Sequence, residues 1–91
     1  MTPTRISRLF EHCRKESKGA LIAYLTAGDP APEQTPALAA AMVRGGADLI
    51  ELGVPFSDPV ADGPVIQRAS DRALERGTSL RSVLEIARKI R

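Results

Sequence analysis

Residues 48–64 of the chain, DLIELGVPFSDPVADGP, decide its fold. The first part of this stretch, 48–54, predicts a β-strand that carries one carboxylate, Glu51, among apolar residues. The loop that follows, 55–63, is rich in turn-forming residues, and Asp62-Gly63-Pro64 is a typical helix start. A strand, a loop and a helix in this order make one βα unit of a parallel sheet.

An earlier part of the chain has the same order. Residues 20–25 (ALIAYL) form a short continuous apolar run, which is typical of a strand covered on both faces. A turn over 26–30 follows, and its Asp29 is predicted to cap the next helix. The firmest helix start is Thr35-Pro36, as cap and first-turn residue, because proline deep inside a helix is destabilising. Gly45-Gly46 ends this helix.

Helices flank the two βα units. Residues 3–17 place apolar residues at the i, i+3, i+4, i+7 spacing of an amphipathic helix, with Thr2-Pro3 as its predicted start. Cys13 lies on the apolar stripe and is interpreted as buried filler, and His12 beside it is interpreted as structural. After the helix that follows Asp62, Thr78 or Ser79 is predicted to cap a last amphipathic helix.

The resulting order of helix, β, α, β, α, α indicates βαβ units and a parallel sheet. Two parallel strands leave both sheet edges open, so they do not make a finished domain. We therefore expect residues 1–91 to be one part of a larger repeating architecture. As an isolated chain, they are expected to be marginally folded and self-associating.

The composition excludes several classes of function. The chain has 91 residues with 13 basic and 11 acidic side chains, a net charge of +2 that is too balanced for backbone binding to nucleic acid. Its longest apolar run is far shorter than the roughly 20 residues of a membrane span, and the charged N-terminus has no signal-peptide core. One cysteine and one histidine exclude an internal disulfide and the common zinc sites. The sequence predicts a cytoplasmic protein that binds neither nucleic acid nor membrane.

The charges are unevenly distributed along the chain. Residues 1–18 carry a net charge of +3 and residues 68–91 a net charge of +4, whereas 19–67 carry −5. Solvated amphipathic helices account for the basic flanks. The acidic middle is where carboxylate chemistry is to be sought.

Glu51 is the anomaly of that middle, because a lone carboxylate in an apolar strand costs free energy unless it is paired or near water. A solvated edge strand or a buried ion pair would explain it without any function. A catalytic role is the third interpretation, because α/β enzymes hold their catalysts at the carboxyl ends of parallel strands.

Two further carboxylates follow in the loop. Asp62 taken alone is better explained as a helix cap, and Asp58 as a turn residue. The two together are a weak signal for a divalent cation, since no third ligand accompanies them. The chain contains no glycine-rich nucleotide motif and no serine-hydrolase elbow.

The run from Glu51 to Gln67, ELGVPFSDPVADGPVIQ, closely resembles the signature of the tryptophan synthase α chain family. Leu25–Pro30 (LTAGDP) resembles the first βα turn of that family at the right distance upstream. The resemblance covers essentially all of residues 1–91, which match the first third or so of a TIM barrel of about 250 residues. It implies an α/β chain made of the leading helix and the first two βα units of that barrel, incomplete here.

The resemblance also implies a reaction. The family cleaves indole-3-glycerol phosphate to indole and glyceraldehyde 3-phosphate without a metal or organic cofactor, by a retro-aldol step. Glu51 and Asp62 match its two catalytic acids. Glu51 would deliver a proton to indole C3 and remove one from the side-chain hydroxyl, provided that burial keeps it partly protonated near neutrality. Asp62 would stabilise the positive charge that develops on the indole ring.

By the same resemblance, Tyr24 matches an aromatic residue of the indole pocket, where phenylalanine is also usual. Pro55, Asp58 and Pro59 match the segment that faces the partner β chain of an α2β2 complex, and pyridoxal phosphate belongs to that β chain. The family's phosphate site and mobile lid come from later βα units. Two alternatives remain: another phosphosugar enzyme with the same barrel, and a non-catalytic fragment that only associates with a β chain or with itself.

Overall fold

A computed structural model describes residues 2–58 and 61–91 of the chain. The elements are α1 (Arg5–Lys15), β1 (Ile22–Thr26), a 3₁₀ turn (Pro32–Gln34), α2 (Thr35–Arg44), β2 (Leu49–Gly53), α3 (Pro64–Glu75) and α4 (Leu80–Ile90). Apart from the 3₁₀ turn, this is the predicted order. Both strands and all four helices begin and end within a few residues of their predicted bounds.

The two strands form a parallel pair, which confirms the predicted βαβ connection. Ile22 is the register partner of Leu49, and Tyr24 is the register partner of Glu51. Because side chains alternate along a strand, these four residues share one face of the sheet. The same face carries Thr26 and Gly53, the last residues of the two strands.

The opposite face packs on helix α4. Leu52 lies against a small core formed by Ala27, Val83 and Ile86, and Ile90 completes the contact from the last turn of the helix. Burial of a side chain such as Val83 or Ile86 stabilises the fold by about 1.5–3 kcal/mol. This packing holds β2 against α4.

The prediction that β1 is covered on both faces is wrong for the described residues. Ile22 is 47% exposed and Tyr24 is 42% exposed, whereas Ala23 and Leu25 on the other face are partly buried. The face that carries Tyr24 and Glu51 is therefore open.

Helix α1 begins two residues later than predicted. Thr4, and not Thr2, is its cap: the Ser7 amide donates to the Thr4 hydroxyl at 3.1 Å, and the Thr4 amide donates to the Ser7 hydroxyl at 2.7 Å. This reciprocal pair satisfies two amides that the helix leaves free. Cys13 is buried, which confirms its interpretation as filler.

The start of α2 also differs from the prediction. Thr35 is the first helical residue and is fully buried, and its hydroxyl accepts a hydrogen bond at 2.9 Å from the Gly28 amide. Asp29 caps nothing, because both of its carboxylate oxygens accept from Arg72. The side chains predicted as caps therefore hold the β1–α2 turn in place.

Helices α3 and α4 are joined by a short turn at Gly77. Ser79 caps α4 through a reciprocal pair with Ser82, as one of the two predicted caps. Thr78, the other candidate, is buried instead and lies over Gly28, where it leaves no room for a β-carbon. The α3–α4 turn thus packs on the turn that ends β1.

Candidate active site

The candidate site lies at the carboxyl ends of β1 and β2, on the open face of the sheet. Tyr24 and Glu51 lie side by side on that face as register partners, two residues before the ends of the strands. The loop that leaves the same end of β2 carries Asp62 to the start of α3. In (βα)₈ enzymes this end of the sheet holds the active site.

Glu51 is exposed in the middle of β2. Neither ion pair found among the described residues involves it, so the buried ion pair considered from the sequence is wrong. An exposed carboxylate on an open face fits either a solvated edge strand or a catalytic acid. Residues 2–58 and 61–91 do not supply the burial that its predicted role as a proton relay requires.

Asp62 is exposed and is not a helix cap. The cap of α3 is Gly63, which makes no side-chain hydrogen bond, and Pro64 is the first helical residue. The backbone carbonyl of Asp62 accepts a hydrogen bond at 2.7 Å from the Gln67 side-chain amide. The loop backbone is thus tied to the first turns of α3, while the carboxylate itself remains available to a ligand.

Tyr24 leans along the open face toward the carboxyl end of the neighbouring strand. Its phenol lies across Gly53, where an added β-carbon would collide with it. The buried Thr26 hydroxyl donates to the Tyr24 hydroxyl over a long 3.5 Å. Thr26 was not singled out from the sequence, although residues i and i+2 of a strand share a face and could have pointed to it.

The residues predicted to face a partner are distributed over the β2–α3 loop. Pro55 is buried and Asp58 is exposed, whereas Pro59 lies outside the described residues. Phe56 between them is 60% exposed, an apolar residue that the sequence interpretation did not single out. The assignment of this loop to an interface stays a prediction.

One open groove lies away from the candidate site. It encloses about 720 Å³ between the first turn of α1, the start of β2 and the last turn of α4. Its strand residues are Leu49 and Ile50, at the amino end of β2, and neither Glu51 nor Asp62 lines it. The active sites of parallel α/β enzymes lie at the other end of the strands.

The described residues contain neither a cluster of metal ligands nor a membrane-spanning helix. Within the part of the chain that the structure describes, no three histidine, cysteine, aspartate or glutamate side chains are grouped so as to hold a metal ion. No helix over 2–58 or 61–91 is long and apolar enough to cross a bilayer.

Comparisons with known proteins give one consistent result. The family model for the tryptophan synthase alpha chain matches residues 10–91. A tryptophan synthase alpha chain from Solibacter usitatus (strain Ellin6076) is 73% identical over 88 residues, which are 97% of this chain and 33% of that protein. One from Alkalilimnicola ehrlichii is 56% identical over 87 residues, covering 96% of this chain and 32% of that protein.

Solved structures agree. Tryptophan synthase subunit alpha from Legionella pneumophila str. Paris is 47% identical, with a TM-score of 0.95, and the match covers 99% of this chain and 34% of that one. Tryptophan synthase from M. tuberculosis in its aminoacrylate-bound form is 41% identical, with a TM-score of 0.89 over 97% of this chain and 36% of that one. This chain spans about a third of the length of these relatives. The predicted fold class, an α/β chain with the leading helix and first two βα units of a TIM barrel, is confirmed.

Proposed function

The chain belongs to the tryptophan synthase alpha chain family, and on that premise we propose that it supplies the two catalytic acids of a retro-aldol lyase. The substrate is indole-3-glycerol phosphate, and the products are indole and glyceraldehyde 3-phosphate. The observation that carries the proposal is the pairing of Glu51 with Tyr24 on the open face of the sheet. It puts a carboxylate and an aromatic ring side by side, two residues before the strand ends from which the Asp62 loop departs.

Glu51 is the proton-transfer group of the proposed reaction. Breaking the bond between indole C3 and the side chain requires a proton on C3 and the removal of one from the side-chain hydroxyl. One carboxyl group can do both in turn, because the acid that gives the first proton becomes the base that takes the second. The Glu51 side chain is exposed in the structure of residues 2–58 and 61–91. We therefore expect the further βα units of the longer relatives to enclose it.

Asp62 is the group proposed to stabilise the charge on the indole ring. Protonation at C3 leaves positive charge that is shared with the ring nitrogen, and a carboxylate that accepts the N–H stabilises this state. The exposed side chain and the bond from Gln67 to the Asp62 carbonyl support this role. The backbone is held while the carboxylate keeps its acceptor capacity for the substrate.

Tyr24 is proposed as one wall of the indole pocket. Its ring is 42% exposed on the face that carries Glu51, so a flat aromatic substrate can stack against it. The hydroxyl adds a polar group close to Thr26, at 3.5 Å from its hydroxyl. We expect the ring rather than the hydroxyl to contribute most of the binding.

The proposal includes a partner and a location. The β2–α3 loop, with Pro55, Asp58 and Pro59, is proposed to face a tryptophan synthase beta chain in an α2β2 complex, in the cytoplasm. The pyridoxal phosphate of the overall synthesis belongs to that beta chain. The cleavage itself uses neither a metal nor an organic cofactor of this chain.

A chimera tests the proposal. Residues 1–91 replace the matching third of the Solibacter usitatus relative, which is 73% identical, so that the barrel is complete. We expect the chimera to release indole from indole-3-glycerol phosphate at a rate close to that of the unaltered relative. A folded chimera that leaves this substrate intact but turns over another phosphosugar would contradict the proposal.

A further inference from the structure

Three contacts converge on the turn that ends β1. The Gly28 amide donates to the Thr35 hydroxyl of α2 at 2.9 Å, and Thr78 of the α3–α4 turn lies over Gly28. Asp29 accepts two hydrogen bonds from Arg72 of α3, with Nε at 2.8 Å and a terminal nitrogen at 3.0 Å. The turn is thus the junction at which α2, α3 and α4 meet the carboxyl end of the sheet.

The Arg72–Asp29 pair is the charged part of this junction. Its geometry is bidentate, which fixes the orientation of both side chains as well as their distance. The Asp29 side chain is only 19% exposed, whereas that of Arg72 is 53% exposed. The hydrogen bond to Asp29 raises the pKa of Arg72 above its ordinary value. The guanidinium therefore stays protonated through the neutral pH range, and a rise in pH within that range does not break the pair from the arginine side.

Helix α3 connects this pair to Asp62. Arg72 lies eight residues after Pro64, about 12 Å along a continuous helix at about 1.5 Å per residue. The Gln67 amide donates to the Gly63 carbonyl at 3.0 Å, and its side chain donates to the Asp62 carbonyl at 2.7 Å. Anchoring the far end of α3 therefore restrains the direction of the end that carries Asp62.

The sheet connects the same pair to Glu51. Asp29 follows β1 by three residues, and β1 pairs with β2 so that Tyr24 lies opposite Glu51. A continuous series of contacts thus joins the two carboxylates through the protein, from β2 to β1, to the turn, to Arg72 and along α3.

We infer that Arg72 is a positioning residue, which through its bidentate contact with Asp29 holds the Asp62 loop in place relative to Glu51. The inference rests on the proposed function for its catalytic consequence. The effect of Arg72 on the position of the Asp62 loop does not depend on the proposed function. Because a positional error of about 1 Å can reduce a rate by about 100-fold, loss of this contact is felt mainly in turnover.

A purely structural role predicts no loss of turnover. An exposed ion pair contributes little to stability, so a surface bridge would cost little in either stability or activity when broken. A positioning role costs turnover while stability and substrate binding stay nearly constant. The two roles are therefore distinguished by kcat against KM, measured beside the melting temperature.

The test uses the chimera described above, with Arg72→Gln, Asp29→Asn and the double variant. We expect each to lower kcat by about 10- to 100-fold with KM within threefold, and the double variant to be no worse than either single one. Arg72→Lys keeps the positive charge but cannot make the bidentate contact, so its kcat should lie between those of Arg72→Gln and the unaltered chimera. The matched control is Arg76→Gln at the C-cap of the same helix, whose side chain makes no hydrogen bond or ion pair among the described residues; it should leave kcat unchanged.

Hydrogen exchange gives a readout that does not depend on activity. In Arg72→Gln, the Gln67 and Arg68 amides at the amino end of α3 should exchange faster, although they are more than a full helical turn away from the change. Exchange that accelerates only around residue 72, or a kcat within twofold of the unaltered chimera, would overturn the inference. If the unaltered chimera releases no indole, the proposed function fails, and faster exchange at Gln67 still supports the coupling.

Discussion

The phenol of Tyr24 on β1 lies across the backbone of Gly53 on β2, so that no β-carbon fits at position 53. The two residues share the open face of the sheet, because Tyr24 is the register partner of Glu51 and Gly53 follows Glu51 by two. What requires glycine at position 53 is thus the neighbouring ring rather than an unusual backbone angle. The sizes of residues 24 and 53 are therefore coupled.

Gly53→Ala should lower the free energy of unfolding of the chimera by about 1–3 kcal/mol, because the ring has to leave its position. Urea denaturation measures this change. Gly19→Ala is the control, since no atom lies within 4 Å of a β-carbon placed there. In a Tyr24→Ala background the cost of Gly53→Ala should disappear. An unchanged cost in that background would show that the ring is not the obstacle.

Glu51→Gln should nearly abolish indole release by the chimera while substrate binding is retained. The amide keeps the shape of the side chain and removes its ability to give and take a proton. Steady-state kinetics, together with direct binding of the substrate, measure the two effects separately. A variant that stays within tenfold of the unaltered turnover would remove Glu51 from the mechanism and leave the solvated edge strand as its explanation.

Asp62→Asn should also reduce turnover severely, by loss of the anion at the indole nitrogen. Because Gly63 is the cap of α3, the substitution should change the free energy of unfolding by no more than about 0.5 kcal/mol. Kinetics and urea denaturation of the same sample provide both values. A stability loss of about 1 kcal/mol with turnover intact would instead assign Asp62 to capping.

The sequence predicted the elements well because their signals are local. The apolar spacing of α1 and α4, the glycines that end helices and the continuous apolar run of β1 each lie within one segment of the chain. The cap of α4 at Ser79 was among the predicted residues for the same reason. At Thr4 the prediction failed by two residues, since two threonines near the helix start offer equivalent local chemistry.

The side-chain partners at the candidate site could not be predicted in the same way. Asp29 and Thr35 are good capping residues by type, yet their side chains contact Arg72 and Gly28 instead. Arg72 is 43 residues from Asp29 along the chain, so only the folded arrangement brings them together. The apolar pattern of β2 marks Glu51 as an anomaly but leaves its role open, and the roles of Glu51 and Asp62 come from the family resemblance.

Gly28→Ala should destabilise the chimera more than Gly46→Ala does. Both glycines have positive φ, +91° and +116°, which costs an alanine about 1 kcal/mol or more. Only Gly28 also lies under Thr78, whose Cγ2 would be 2.9 Å from the new β-carbon, whereas nothing lies within 4 Å at Gly46. The difference between the two losses, measured by thermal or urea unfolding, isolates the steric part. Equal losses would show that the α3–α4 turn moves aside freely.

The isolated 91-residue chain should self-associate and should not release indole. Its two strands pair only with each other among the described residues, which leaves a backbone edge open on each side. Ile22 and Tyr24 on the open face are 47% and 42% exposed, and three further apolar side chains near the strands are at least 50% exposed: Leu21, Val54 and Phe56.

Open strand edges and exposed apolar side chains favour association, so sedimentation should detect oligomers whose fraction rises with concentration. Ile22→Lys puts a charge on that face and should shift the distribution toward the monomer, whereas Arg76→Lys should not. Indole release should be absent from both forms, because Glu51 remains exposed without the rest of the barrel to enclose it. A stable monomer that releases indole at the rate of the chimera would show that the active site does not need further βα units to enclose Glu51. Such a result would leave the family membership of the chain unchanged.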